Sequence, residues 1–219
     1  LEIVNDELVV AEKGVYSVEH FLNSRRLMYW QVYLHKTTIA AEEMLIQIVR
    51  RAKDLFTEGQ ELYCTPALFT FLSKSYTYDE FKQDENLLRT FGEFDDYDIW
   101  SGIKAWVHHP DKILSILCKM LLNRNLFKIK LFKEEPGSLF LDELDIKICS
   151  YYSISPENLG YLRVKGSLSN YGYFTSGTRI KILKKNGEII DISEASDLPN
   201  IKAISKIVKK YYLCIPNIN

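Results

Sequence analysis

The sequence feature that most constrains the fold is the stretch Tyr16–Asp54, which contains neither glycine nor proline. It is rich in Leu, Met, Ala, Glu, Gln, Arg and Lys, the residue types that lose least free energy on entering a helix. Because no helix breaker interrupts it, the stretch predicts one long helix or two collinear helices.

The predicted helix has two chemically different faces when residues are placed about 100° apart around its axis. One face is apolar: Leu27, Trp30, Leu34, Ala41, Leu45 and Ile48. The opposite face carries Leu22, Arg25, Tyr29, Tyr33, Lys36 and Gln47. A guanidinium and two phenols one turn apart suit an anionic, flat partner, because Arg offers phosphate a planar fork and Tyr offers a ring. Packing of both tyrosines on a neighbouring helix, with Arg25 reaching water, is the commoner arrangement and stays open.

Composition and charge narrow the classes of partner. The chain has 219 residues and a formal net charge of −1, so it can bury a core but has no global basic field to attract nucleic acid or anionic lipid. Four widely spaced cysteines in apolar runs indicate buried, reduced thiols. No run is long and apolar enough for a membrane span and no signal peptide is recognisable, so we expect a cytoplasmic protein. The chain begins with Leu1, and we expect it to be a fragment of a longer protein.

Local patterns place the elements of the first half. Residues 1–14 alternate around Asn5-Asp6 as a hairpin does, and Ser17 is the expected N-cap of the long helix. Helices are expected at 66–74, 77–89 and 111–123. A further helix has the expected core face Tyr97, Ile99, Trp100, Ile103 and Trp106.

From residue 126 onwards, alternation and turn residues replace helical periodicity. We expect strands at 127–132, 159–166 and 206–216, helices at 139–152 and 199–205, and a hairpin at 179–192 that turns at Asn186-Gly187. The fold class is therefore α+β: a mostly α-helical part at 1–125 is followed by a small α+β domain with antiparallel strands at 126–219.

The sequence motifs do not provide a catalytic site. His20 and His35 lie about 22 Å apart on the predicted helix and cannot share a metal ion. The adjacent pair His108-His109 suits helix-end capping or an exposed pair. The acidic cluster at 95–98 suits a helix start, with metal binding as its lesser alternative. No nucleophile elbow, metalloprotease, Walker or dinucleotide-binding motif is present. We therefore expect no catalytic residue and no metal ligand within this chain.

Two motifs resemble the HD-domain dNTP triphosphohydrolases of the SAM-and-HD type and their bacterial relatives. The family pattern R-x7-Y-x-H-K is matched in full by Arg25, Tyr33, His35 and Lys36, and the family segment RNLFK is matched by Arg124 to Lys128. The final third is similar to the C-terminal α+β domain of bacterial HD-superfamily phosphohydrolases. The resemblance covers essentially the whole chain and implies that residues 1–125 continue the C-terminal half of an HD-type helical domain.

The resemblance also implies roles for the matched residues. The Arg at 25 would bind the substrate triphosphate, and the Tyr at 33 would lie against the deoxynucleoside and help to select 2′-deoxy sugars. Tyr29, between them on the same face, completes the predicted substrate-binding set. The matched positions that line a nucleotide effector site in some family members are His35, Lys36, Arg124 and Lys128.

The sequence departs from the family at its metal-binding signature, a His, a His-Asp dipeptide and a distant Asp, which is absent here. In the family this signature precedes the helix at 16–54, so the resemblance implies a divalent metal held by an N-terminal part outside this chain. We expect the full-length protein to cleave dNTPs to deoxynucleoside and triphosphate, and this chain alone to be inactive. The expected partners are the dNTP, a nucleotide effector and further copies in a homo-oligomer, without a membrane.

Two alternatives belong to other functional classes. The first is a non-catalytic, nucleotide-responsive regulatory or oligomerisation module. The second is nucleic-acid binding through Lys206, Lys209 and Lys210, although lysines on an edge strand that prevent aggregation explain these residues as well.

Overall fold

The computed structural model describes residues 1–170, 179–197 and 208–218. Its helices are α1 Val15–Met28, α2 Lys36–Thr57, α3 Pro66–Ser73, α4 Tyr78–Gln83, α5 Glu85–Glu93, α6 Asp96–Trp106, α7 Lys112–Leu122, α8 Ser138–Tyr152, α9 Leu159–Leu162 and α10 Ile192–Ala195. Its strands are β1 Glu2–Val4, β2 Glu7–Ala11, β3 Lys128–Phe132, β4 Val164–Asn170, β5 Lys181–Leu183, β6 Ile189–Asp191 and β7 Val208–Ile215. This content confirms the α+β class. The helix expected at 199–205 lies outside the described residues.

Both predicted hairpins are confirmed, and each turn follows from its residues. Asn5 and Asp6 have φ of 52° and 65° and connect β1 to β2, in which Val4 pairs with Glu7. Asn and Asp tolerate this left-handed backbone better than other non-glycine residues. In the second hairpin Leu183 pairs with Ile189, and Gly187 has φ of 86°.

The two hairpins form one sheet, which the sequence patterns did not predict. The strand order is β1-β2-β5-β6, and β2 pairs parallel to β5 through Val10 with Ile182 and Ala11 with Leu183. A second, three-stranded sheet has the order β3-β7-β4. The N-terminal strands therefore share a sheet with strands of the predicted C-terminal domain.

Contacts divide the chain into two compact units, each assembled from separate segments. The first unit contains Leu1–Thr38, Leu131–Glu135 and Gly166–Tyr212, and the second contains Ile39–Lys130, Pro136–Lys165 and Leu213–Asn219. The predicted sequence division at 125–126 stays a prediction, since these units describe packing and not the borders of a domain family.

The first unit has a small apolar core on one face of its sheet. Its buried residues are Val15, Leu22, Ile182 and Ile192. α1 lies over this core and begins at Val15 with no side-chain cap, so the predicted N-cap at Ser17 is wrong. A 3-10 turn at Glu12–Gly14 leads the chain directly into the helix instead.

The second unit contains the larger helical core. Its most completely buried side chains include Met44, Ile48, Leu68, Ile103, Trp106, Leu114 and Leu117. The Trp106 indole donates a hydrogen bond to the Tyr63 carbonyl at 2.8 Å, and Gly102 leaves room for the indole ring. The predicted core face of α6 is therefore correct for Ile103 and Trp106 but wrong for Tyr97 and Trp100, which are 82% and 41% exposed.

Asp84 divides the helix predicted at 77–89 into two. Its side chain accepts hydrogen bonds from the backbone N–H groups of Asn86 and Leu87, so α4 ends and α5 starts at this residue. An N-cap residue keeps an extended backbone, which ends the preceding helix.

The four cysteines are free thiols. Cys118 and Cys214 are buried, as expected, and burial raises the pKa of each to about 12. Cys64 and Cys149 are only partly buried. Among the described helices, none has the length and apolar character needed to cross a bilayer.

Candidate functional site

The predicted long helix is interrupted in its middle. After α1 the chain forms a π-helical turn at Tyr29–Tyr33, in which the Leu34 N–H donates to the Tyr29 carbonyl at 2.7 Å. His35 lies between the helices, and α2 starts at Lys36. A π turn accommodates one residue more than an α turn and often marks a functional site. Of the two predicted alternatives, one long helix or two helices, the structure shows two helices.

The interruption changes which side chains are buried. Leu22 and Gln47, predicted for the polar face, are 2% and 4% exposed, whereas Leu27, predicted for the apolar face, is 56% exposed. The predicted faces are wrong for these residues because a constant 100° step does not hold through a π turn and a break between helices.

The three predicted substrate-binding residues line one open cleft on α1 and the π turn. The cleft has a volume of about 590 Å³ and is lined by Phe21, Ser24, Arg25, Met28, Tyr29 and Tyr33. Arg25 is exposed and Tyr29 is half-buried, and Tyr33 is 55% exposed. The alternative in which both tyrosines pack against a neighbouring helix is therefore wrong for Tyr33.

Contacts between neighbouring side chains align Arg25, Tyr29 and Tyr33 in a row along α1 and the π turn. The Arg25 guanidinium lies 5.3 Å from the centre of the Tyr29 ring, and its Nη2 donates to the Tyr29 hydroxyl at 3.3 Å. The Tyr29 and Tyr33 rings meet edge to face, with centroids 5.3 Å apart. These three residues are spaced four apart, which places each side chain next to the following one on the same side of the helix.

The Arg25 guanidinium retains donors for an anion. In the described part of the chain no carboxylate lies within ion-pair distance of it; its hydrogen bond and its ring contact are both with Tyr29. A guanidinium can bind two phosphate oxygens at once. The cleft can therefore hold a phosphorylated ligand whose flat part lies against the tyrosine rings.

The four predicted effector-binding residues are exposed and fall in different units. His35 and Lys36 belong to the first unit, where the His35 Nδ1 accepts a hydrogen bond from the Thr37 N–H at 3.3 Å. Arg124 and Lys128 belong to the second unit, Arg124 just after α7 and Lys128 at the start of β3. Their assignment to an effector site stays a prediction.

Two groups of polar residues in the second unit were not predicted from the sequence. One is a bidentate ion pair between Arg51 and Asp111, with Nη2 to Oδ2 at 2.7 Å. The other is a pocket that Lys128 shares with Lys130 and Lys147. The alternation in FKIKLF could have paired Lys128 with Lys130, but no local pattern points to Lys147.

The described residues do not form a metal site. No group of three His, Cys, Asp or Glu side chains among them is arranged to hold an ion. Asp95 and Asp98 instead form the capping box of α6, and the His109 Nδ1 accepts the Asp111 N–H at 3.0 Å. The predicted helix-terminal roles of the acidic cluster and of His109 are confirmed.

Comparison with known proteins places the chain near the HD superfamily. Residues 1–63 match the family model described as HD associated region. The uncharacterized protein YwfO of Bacillus subtilis (strain 168) is 32% identical over 202 residues, which are 87% of this chain and 43% of that protein.

Two solved structures resemble nearly the whole of this chain. A phosphohydrolase from Bacteroides thetaiotaomicron VPI-5482 is 43% identical, with a TM-score of 0.89 over 98% of this chain and 53% of its own. A hypothetical protein from Aquifex aeolicus, 19% identical, shares the fold with a TM-score of 0.55 over 98% of this chain and 45% of its own. The chain spans about half the length of the relatives it matches, and these similarities support the relationship to the HD superfamily that the two motifs indicated.

Proposed function

We propose that this chain supplies the substrate-binding part of an HD-superfamily phosphohydrolase that cleaves dNTPs to deoxynucleoside and triphosphate. The observation that carries the proposal is the open cleft in which Arg25, Tyr29 and Tyr33 lie side by side. The similarity to a phosphohydrolase over nearly the whole chain supports the reaction class, and the full match to the family's Arg-Tyr-His-Lys pattern supports the dNTP as substrate.

Within this proposal the residues of the cleft bind and orient the nucleotide. Arg25 holds phosphate oxygens, because charge-assisted hydrogen bonds from a guanidinium are among the strongest in proteins. Tyr33 forms a wall beside the deoxyribose, where its bulk disfavours a 2′-hydroxyl. The family resemblance assigns a divalent metal to residues outside this chain, where it would activate the attacking water. A homo-oligomer in the cytoplasm, responsive to a nucleotide effector, belongs to the same proposal.

Replacement of Arg25 in the full-length protein tests the role of the cleft. We expect Arg25→Ala to lower kcat/KM for dNTPs more than tenfold, because a charge-assisted hydrogen bond contributes about 1.5–3 kcal/mol. Arg25→Lys keeps the charge but not the planar fork and should recover only part of the loss. Deoxynucleoside release is measured by chromatography, with triphosphate measured as phosphate after pyrophosphatase treatment.

Arg26→Ala is the matched control, because Arg26 is the next residue on α1 and does not line the cleft. Its kcat/KM should stay within about twofold of the wild-type value. Equal activity of the Arg25 and Arg26 variants would contradict the proposed role of Arg25. Binding of dNTPs by the full-length protein without any turnover would favour the regulatory module instead.

A further inference from the structure

We propose that the second unit carries a separate pocket for a small phosphorylated metabolite, a sugar phosphate or nucleoside monophosphate. We call it the lysine pocket and define it by Lys128, Lys130 and Lys147 with Phe140, Leu144 and Asn217. The pocket lies between β3, α8 and the segment that follows β7, and it has a volume of about 250 Å³. The inference does not depend on dNTP cleavage, because none of these residues lines the cleft on α1.

Secondary structure brings the three ammonium groups together. Lys128 and Lys130 are two residues apart on β3, so they point to the same side of the strand about 7 Å apart along it. Phe140, Leu144 and Lys147 follow one another at helical spacing on α8 and form the facing wall. The two elements thus place two cations on one side of the pocket and a third on the other.

The charges of the lysine pocket are not balanced within the described residues. Among the described residues none of its three lysines makes an ion pair, and the Lys130 ammonium group lies 5.3 Å from the centroid of the Phe140 ring. Glu143 is the one carboxylate that lines the pocket. Three positive groups against one negative group leave a net attraction for an anion, and clefts concentrate such a field.

An unsatisfied amide provides a second, independent indication of a ligand. The Asn217 Oδ1 atom is buried and has no hydrogen-bond partner in the structure. A buried polar atom without a partner costs about 1–3 kcal/mol, and a ligand hydroxyl or amine would remove that cost. A ligand with a hydroxyl or an amine beside its anionic group would satisfy this atom.

Edge protection is the competing explanation for two of the lysines. β3 is an edge strand of its sheet, and lysines on such strands prevent association with other chains. This accounts for Lys128 and Lys130, but it accounts neither for Lys147 on α8 nor for the unsatisfied amide of Asn217. A ligand site accounts for all four residues.

The lining defines the class of ligand. The lysines bind a phosphate group, Phe140, Leu144 and Ile215 offer an apolar wall for a ring, and Asn217 accepts a hydrogen bond from a hydroxyl. The volume of about 250 Å³ is slightly below the roughly 300–1,000 Å³ that is usual for small-molecule sites, which suits one phosphate on a sugar or nucleoside rather than a triphosphate nucleotide.

Calorimetric titration of ribose 5-phosphate into the full-length protein tests the lysine pocket. An Arg25→Ala background prevents binding at the cleft from contributing. We expect Lys130→Ala with Lys147→Ala to weaken binding at least tenfold, and Asn217→Ala to weaken ribose 5-phosphate more than inorganic phosphate, which lacks the sugar hydroxyls. Lys119→Ala is the matched control, since Lys119 is an exposed lysine on α7 outside the pocket.

The outcomes separate the lysine pocket from the other sites. Lys128 also belongs to the predicted effector set, so the double variant changes only Lys130 and Lys147, which lie outside that set. A loss of ribose 5-phosphate binding in Arg124→Ala as large as that in the double variant would assign the ligand to the predicted effector site and overturn the proposal. Equal binding by the double variant and Lys119→Ala would also overturn it, as would stronger binding of single-stranded DNA or RNA than of any small phosphate. If the double alanine variant does not fold, Lys130→Gln with Lys147→Gln removes both charges while keeping a long polar side chain at each position.

Discussion

At the residue scale, Arg124 occupies a backbone position that normally belongs to glycine. Its φ is 56°, and it ends α7 in a Schellman arrangement: the Asn125 N–H donates to the Met120 carbonyl at 2.8 Å and the Arg124 N–H to the Leu121 carbonyl at 3.1 Å. A side chain in this left-handed region costs about 1–2 kcal/mol relative to glycine. A residue retained at such a cost is a candidate for a functional role.

Replacement of Arg124 by glycine should therefore stabilise the chain while removing a predicted effector contact. We expect Arg124→Gly to raise the free energy of unfolding by about 0.5–1 kcal/mol, the relief of strain less the greater chain entropy of glycine. Urea unfolding measures the gain, and nucleotide stimulation of the full-length protein measures the loss.

Arg124→Ala is the matched control for this change, because it removes the same side-chain contacts but keeps a Cβ atom in the left-handed region. Its free energy of unfolding should stay near the wild-type value. A similar gain in both variants would show that the guanidinium, and not the backbone, is the destabilising group.

At the scale of elements, an ion pair ties α2 to the start of α7. Arg51 binds Asp111 through Nη2 at 2.7 Å and Nε at 3.2 Å, and the two side chains are only 12% and 15% exposed. Asp111 also caps α7, since its Oδ1 accepts the Leu114 N–H at 2.8 Å. Burial by itself would raise the pKa of Asp111, but the hydrogen bonds from Arg51 and Leu114 outweigh it and hold the pKa below its ordinary value of 3.8.

The lowered pKa gives this pair a defined pH dependence. A carboxyl whose folded-state pKa is depressed contributes stability above its unfolded pKa and loses it as pH falls through the folded value. Asp111→Asn keeps an oxygen for the helix cap but removes the charge, so we expect a loss of about 1–3 kcal/mol at pH 7. The difference from wild type should shrink as the pH falls below 3.8.

Asp111→Ala separates the cap from the charge. It should cost about 1 kcal/mol more than Asp111→Asn, because it also removes the N-cap acceptor. Urea unfolding at several pH values measures both. A wild-type advantage over Asp111→Asn that is the same at pH 7 and pH 3 would show that the charge on Asp111 does not stabilise the fold.

At the scale of the whole molecule, we propose that the metal of the reaction is held by a part of the protein outside this chain. The chain covers 53% of its phosphohydrolase relative, and no group of His, Cys, Asp or Glu side chains among the described residues is arranged to hold an ion. We expect the isolated 219-residue chain to release no deoxynucleoside from any dNTP, and the full-length protein to release it in the presence of a divalent metal. Both are compared at equal concentration by chromatography, and turnover by the isolated chain would contradict the assignment of the metal to a part outside it.

Motifs and helix spacing in the sequence were sufficient to identify the residues that line the cleft on α1, but not those of the lysine pocket. Arg25, Tyr29 and Tyr33 were identified from spacing on one helix face and from the resemblance, and they do line one cleft. Lys147 and Asn217 could not be identified in the same way, because they meet Lys128 only through the packing of α8 and the chain end against β3.

The sequence by itself determined the local structure of this protein. The turns at Asn5-Asp6 and Asn186-Gly187, the start of α3 at Pro66 and the cap of α7 at Asp111 depend on contacts within a few residues, so neighbouring side chains suffice to specify them. The tertiary structure alone decided the parallel pairing of β2 with β5, the burial of Leu22 and Gln47, and the lysine pocket. These features join residues far apart in sequence, where the free energy of packing, and not local propensity, selects the arrangement.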